Sequence, residues 1–161
     1  MPDEAARSRA VAVVEAGKQD LETIAAIHRD LFTPSWTKDD FAALMEQPGS
    51  VALIAILPQH DRPAGFLLGR VIHDEAEILT VGVARGWQRR GIAARLVTAF
   101  VQRAAESGAA RVILEVAEDN DAARRLYVAQ GFGEVGRRPG YYQRRSASPV
   151  DALIMAKTMN R

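Results

Sequence analysis

The chain has 161 residues and a formal net charge of +1, from 21 Lys and Arg against 20 Asp and Glu. A balance this even offers no bulk field for holding nucleic acid or an anionic membrane. Cysteine is absent, which excludes disulfides, thiolate metal sites and any cysteine that would carry an acyl group between substrates.

The length and apolar content predict one domain with a real core, residues 10–161, behind a polar, alanine-rich flexible leader at residues 1–9. No apolar run approaches the roughly 20 residues that span a bilayer. Met1-Pro2-Asp3-Glu4 is no secretory signal, so the expected compartment is the cytoplasm.

Val11 to Glu15 reads as a first strand. Asp20 is expected to cap a helix whose apolar face is Leu21, Ile24, Ala25, Ile27 and Leu31. Pro34 interrupts. Thr37 and Asp40 have capping-box spacing and open a short helix carrying Phe41, Leu44 and Met45. Val51 to Leu57, Gly65 to His73 and Glu77 to Val83 read as strands, with a polar loop from Pro58 to Ala64. A helix from Ile92 sets Ile92, Leu96, Ala99, Phe100 and Ala104 on one face and ends at Gly108. Arg111 to Val116 is a strand, with Ile113 and Glu115 on one face. Asn120 or Asp121 starts a short helix that ends at Gln130-Gly131. Phe132 to Arg138 and Ala152 to Thr158 form a last strand pair joined by a polar loop. Strands alternate with helices in the middle and pair locally at the end. The fold class is therefore α/β (α+β), a mixed, mainly antiparallel sheet with helices on both faces.

The stretch from Ile78 to Leu96 carries the chemistry. A strand leads into a glycine-bearing turn and then a helix. The first N–H groups of a helix have no intrahelical partner and carry about half a positive charge, so this arrangement suits a pyrophosphate. Neither G-x-G-x-x-G nor the Gly-Lys-Ser/Thr ending of a P-loop is present. Gln88-Arg89-Arg90-Gly91-Ile92-Ala93 instead resembles the Q/R-x-x-G-x-G/A acetyl-CoA loop of the general-control-related N-acetyltransferase (GNAT) superfamily. Leu114-Glu115-Val116, then Asn120-Asp121-Ala122-Ala123 with Leu126-Tyr127 and Gly131-Phe132, resembles a second signature of that superfamily. Phe32, Ser35-Trp36-Thr37, Phe41, Gly140-Tyr141-Tyr142 and Asp151 to Met155 extend the resemblance to the bacterial ribosomal-protein-alanine N-acetyltransferases. The chain departs from the pattern in three places. Gly82 stands where alanine is common, Ala84-Arg85-Gly86 replaces a proline-containing turn, and Thr33-Pro34-Ser35-Trp36 replaces Phe-Pro-Trp.

The resemblance implies the GNAT fold and direct acetyl transfer from acetyl-CoA, with no metal. Backbone groups of Val81 and Val83 would hold the pantetheine arm and polarise the thioester carbonyl. Gln88, Arg89, Arg90, Gly91, Ile92 and Ala93 would cradle the phosphates, and Asn120 would bond the arm. Tyr127 lies two helical turns after Asn120 and is counted with it among the cofactor-binding residues; in the family its counterpart protonates the departing thiolate. Glu115 is the matching general base, and a carboxylate in an apolar strand is expected to be desolvated. Phe32, Trp36, Tyr141 and Tyr142 flank the acceptor groove in the family. The implied acceptor is a protein N-terminal α-amine, of ribosomal-protein-alanine type. Alternatives are a lysine or small-molecule amine, antibiotics included, and a non-catalytic acyl-CoA-binding or RNA-associated module. Arg95 joins Arg89 and Arg90 as a phosphate candidate. Arg124-Arg125, Arg137-Arg138 and Arg144-Arg145 read as solvated pairs, with an acidic or RNA-containing partner as the alternative, and His28, His60 and His73 as structural or surface residues.

Overall fold

A computed structural model describes residues 11–58, 60–144 and 147–160. The expected leader at 1–9 lies outside the described residues, as does Arg145. Among the described residues seven strands form one sheet: β1 (Ala12–Glu15), β2 (Ser50–Ile56), β3 (Gly65–Ile72), β4 (Glu75–Val83), β5 (Arg111–Ala117), β6 (Gly133–Arg144) and β7 (Ala147–Thr158). Their order is β1-β2-β3-β4-β5-β7-β6. Every neighbouring pair is antiparallel except β4 and β5. Among the same residues four α-helices cover the sheet: α1 (Leu21–Leu31), α2 (Lys38–Met45), α3 (Ile92–Glu106) and α4 (Asp121–Ala129).

The two faces carry separate apolar clusters, as expected of helices on both sides. Leu96, Val97, Phe100 and Ala104 of α3 pack with Leu53, Leu67, Val112 and Leu114. Ile24 and Ile27 of α1 and Phe41 of α2 pack with Ile54, Phe66 and Leu68. Gly69 makes the first contact possible: a Cβ there would stand 2.4 Å from the Phe100 ring. Gly82 serves the second. A Cβ there would lie 2.9 Å from the Phe66 ring and 3.1 Å from Leu31, which explains why this chain departs from alanine.

Local signals operate with two exceptions. Thr37 Oγ1 accepts from the Asp40 N–H at 3.1 Å, and Asp40 accepts from the Thr37 N–H at 2.8 Å, so the expected capping box forms. Gly108 adopts φ +88° after the end of α3. Asp20, however, makes no side-chain cap; its carboxylate accepts from the Gly17 N–H at 2.8 Å and closes the turn before α1. The last two strands also run further than the sequence implies. Pro139-Gly140 lies inside β6 as an irregularity between Arg138 and Tyr142, where Gly140 takes φ +61° and donates to Asp151 Oδ1 at 3.0 Å.

One feature of the sheet opens the site. β4 and β5 pair only from Glu75–Arg111 to Ile78–Leu114. At the same point β4 carries an extra residue against β3: Ile78 faces Gly69 and Thr80 faces Leu68, leaving Leu79 unpaired. A bulge bends and twists its strand. Beyond it, Leu79 to Val83 and Glu115 to Ala117 have no rungs between them, and the parallel strands part.

Candidate active site

The gap between the parted strands is bounded by β4, the turn after it, β5 and the start of α4. Val83 is buried, and Val81 packs against the same cluster. Their side chains are core, while their main chain borders the gap. Gln88 donates from Nε2 to the Val83 carbonyl at 3.0 Å, tying the glycine turn back to the strand end. Arg89 adopts φ +63° and Gly91 φ +77°, so the chain passes through left-handed backbone twice before Ile92 opens the 15-residue helix α3. Such a conformation is rare outside glycine, and Arg89 holds it at a cost. Ile92 is fully buried and anchors the helix start. Ala93 packs against the same core and Arg90 lies over the Trp87 ring at 4.9 Å. Small residues at the head of a long helix beside an open strand fit a pyrophosphate and its pantetheine arm. Arg95 does not turn to this site; its guanidinium donates to the Val11 carbonyl at 3.3 Å and pins the start of β1.

On the other wall, Asn120 Oδ1 accepts from the Ala123 N–H at 3.2 Å and caps α4. The cap uses the oxygen and leaves the Nδ2 donors outside that bond. Tyr127 is 5% exposed and stacks edge-on with Phe132, ring centroids 5.7 Å apart. Burial pushes its phenol up to about 12, with the Tyr142 phenol adding to the shift. Tyr142 is in turn raised by burial first and by the Glu115 charge second.

The burial expected of Glu115 is not found. It lies on the Ile113 face of β5, but that face is open at the strand end, and the residue is exposed. Both its oxygens accept from Arg138 Nη1, at 3.1 and 3.3 Å. The Arg138 guanidinium also lies 3.9 Å over the Tyr141 ring, and Tyr141 meets Tyr142 edge-on at 5.1 Å. Sequence reasoning missed Arg138 as a partner, and no local signal marks it: β6 reaches Glu115 only because β7 lies between β5 and β6. Nor are the neighbouring arginines merely solvated. Arg137 pairs with Glu118, Glu134 and Asp151, and Arg144 with Asp119.

Phe32 and Trp36 belong to a second group. Both stack on His28, a buried core residue. This segment stands at the open end of β4: Leu31 approaches Gly82, and Arg85 donates to the Asp30 carbonyl at 2.7 Å. Among the described residues no ring contact joins it to Tyr141 and Tyr142. Thr80, also unforeseen, has a buried hydroxyl with no hydrogen-bond partner among the described residues. Among the same residues no group of His, Asp or Glu has the arrangement of a metal site, and no helix is long and apolar enough to cross a membrane.

Known proteins share both sequence and architecture with this chain. It is 27% identical over 139 residues to ribosomal protein bS18-alanine N-acetyltransferase of Haemophilus ducreyi, covering 86% of this chain and 94% of the relative. It is 32% identical over 121 residues to the enzyme of the same name from Escherichia coli K12, covering 75% and 79%. The crystal structure of the Escherichia coli ribosomal-protein-S18-alanine N-acetyltransferase superposes with a TM-score of 0.84 at 26% identity, over 94% of this chain and 95% of that one. Residues 21–132, from the first helix through the parted strands to the turn after α4, match the model of the acetyltransferase (GNAT) family. The strand gap, the glycine turn and α4 all fall inside that span, and the chain belongs to the GNAT acetyltransferase family.

Proposed function

We propose that this acetyltransferase moves acetyl from acetyl-CoA directly to the α-amino group of a protein N-terminus, with a ribosomal protein whose first residue is alanine as the best acceptor. The observation that carries the reading is the parting of β4 and β5, with the exposed Glu115 on β5 just past the last rung and the buried Tyr127 on α4, the helix that follows β5. It supplies a carboxylate for the amine and a protonated phenol for the leaving thiolate. The names of the relatives, ribosomal protein bS18-alanine N-acetyltransferases, support the acceptor.

In this reading, Val81 and Val83 present main-chain groups to the pantetheine arm and thioester. Gln88 to Ala93 hold the pyrophosphate, and Asn120 supports the arm. Phe32 and Trp36 on one side, and Tyr141 and Tyr142 on the other, bound the acceptor chain. An α-amine has a pKa near ~7.7–8.0, against ~10.4 for lysine, so a useful fraction is neutral at pH 7 and one exposed carboxylate suffices as base. The arginines of β6 are spent on carboxylates, which speaks for a protein acceptor over RNA. Acetyl-CoA and ribosomal proteins meet in the cytoplasm, which supports that compartment.

The test is initial rates with labelled acetyl-CoA against three acceptor sets: N-terminal peptides, internal lysine peptides and small amines. An Ala-initial peptide is expected to react fastest at pH 7. Faster turnover of lysine peptides or of small amines would transfer the proposal to that class. Glu115→Gln, assayed on the preferred peptide, is expected to lower kcat/KM most near neutral pH. The defect should shrink as pH rises and the amine loses its proton unaided. A defect constant across the pH range would assign Glu115 to holding the acceptor rather than to proton removal.

A further inference from the structure

We propose that His28 is a positioning residue for the acceptor, a clasp that holds residues 32–36 in the shape that receives the incoming chain. The inference rests on the acceptor groove proposed above. His28 sits in the last turn of α1, is 3% exposed, and bears on both ends of the segment. Its carbonyl accepts from the Phe32 N–H at 2.8 Å. Its ring nitrogen Nδ1 accepts from the Trp36 N–H at 3.0 Å, eight residues on. The imidazole lies between two rings, with Phe32 stacked at 4.4 Å and Trp36 at 5.1 Å, and Phe41 meets it edge-on at 5.3 Å. The Phe32 bond is main chain, the ordinary end of α1; the side chain ties the far end of the segment back to the helix through Trp36 and stacks on both aromatic residues.

The Trp36 bond requires an unprotonated Nδ1, which puts the ring proton on Nε2. Protonation would set one N–H donor against another and break the link. Cation–π attraction to the flanking rings would offset part of that cost, so the hydrogen bond is the pH-sensitive element. The groups packed on the ring from the segment, α2 and β3 are Phe32, Trp36, Phe41 and Phe66, none of them titratable. The charged residues of the same elements are Glu22, Arg29 and Asp30 on α1, and Lys38, Asp39 and Asp40 on α2; all are exposed. On β3, Arg70 is half-buried and engaged by Glu77. Burial is accordingly what holds His28 below its ordinary value of 6.5. Because the folded state disfavours the charged form, the stabilisation is complete above pH 6.5 and is lost as pH falls through the lowered value.

Two variants separate the clasp from bulk packing. His28→Phe keeps an aromatic ring but removes the acceptor; His28→Asn removes the ring but keeps an oxygen near the Nδ1 position. In His28→Phe, the KM for the acceptor peptide is expected to rise about fivefold or more (~1 kcal/mol), with the KM for acetyl-CoA unchanged. Amide hydrogen exchange at Trp36 should accelerate, and His28→Asn should recover part of both effects. In the wild type the acceptor KM should climb more steeply than in His28→Phe as pH falls through the lowered His28 value. The amine's own protonation affects both enzymes alike, so their ratio isolates His28. An acceptor KM within twofold of wild type in a folded His28→Phe overturns the proposal. So does a Trp36 amide resonance that stays put while the His28 imidazole titrates, a measurement on the wild type that stands even if the variants fail to fold. If no N-terminal peptide is turned over, the acceptor reading falls, whereas Trp36 exchange still reports on the clasp.

Discussion

Tyr127→Phe is expected to lower kcat by roughly 10²–10⁴-fold, the usual worth of a positioned general acid, while acetyl-CoA binds as before. The substitution is clean because Tyr127 is two things at once. Its ring is core, 5% exposed and packed edge-on against Phe132. Phenylalanine preserves that packing, so a loss of turnover isolates the hydroxyl. Burial raises the phenol to about 12, so the group carries its proton throughout the working range. No alkaline limb of kcat from Tyr127 is expected below about pH 11, one unit under that value.

The same shift has a signed effect on stability. The folded state favours the neutral phenol, so the stabilisation is intact below the ordinary tyrosine value of 10.0 and is lost as pH rises from there towards about 12. Tyr127→Phe should remove that alkaline loss, which thermal melts across pH 9 to 12 will read. Turnover within about twofold of wild type would remove the hydroxyl from the proton path.

Much of this site is legible in the sequence, and what is not has a physical reason. The glycine turn announces itself because left-handed backbone and close approach demand particular residues at particular spacings, as at Gly91. Alternation along Arg111 to Ala117 sets Glu115 and Ile113 on one face, but period alone does not tell which end of a face is open. Its exposure follows from the parting of β4 and β5, which hinges on one unpaired residue, Leu79, whose identity carries no bulge signal. The Arg138 partner depends on strand order, since β6 comes to Glu115 by way of β7. Pro139-Gly140 reads as a break because both residues disfavour a strand interior; the Gly140 N–H bond to Asp151 absorbs the irregularity instead. His28 carries a signal of its burial in the sequence. It falls four residues after Ile24 and three before Leu31, on the stripe that α1 buries.

Gly91→Asp is the second substitution with a large expected effect, because it opposes two consequences of one helix terminus. Gly91 adopts φ +77° as the cap of α3. Aspartate tolerates left-handed backbone better than most residues, so the strain is of order 1 kcal/mol. A negative charge at a helix N-terminus is itself stabilising, by about 0.3–1 kcal/mol. The two nearly cancel, and the ligand-free variant should melt within a few degrees of wild type. The same charge would face the pyrophosphate. At about 4 Å and an effective dielectric of ~20, repulsion between unit charges is ~4 kcal/mol, roughly a thousandfold in affinity. Gly91→Asn supplies the comparison, since it shares the backbone tolerance and the shape without the charge. Calorimetry with acetyl-CoA should therefore find Gly91→Asn weakened modestly and Gly91→Asp without measurable binding, both with native circular dichroism. Equal affinities for the two would mean that the phosphates do not lie at this helix start, and the assignment of Gln88 to Ala93 would fall with them.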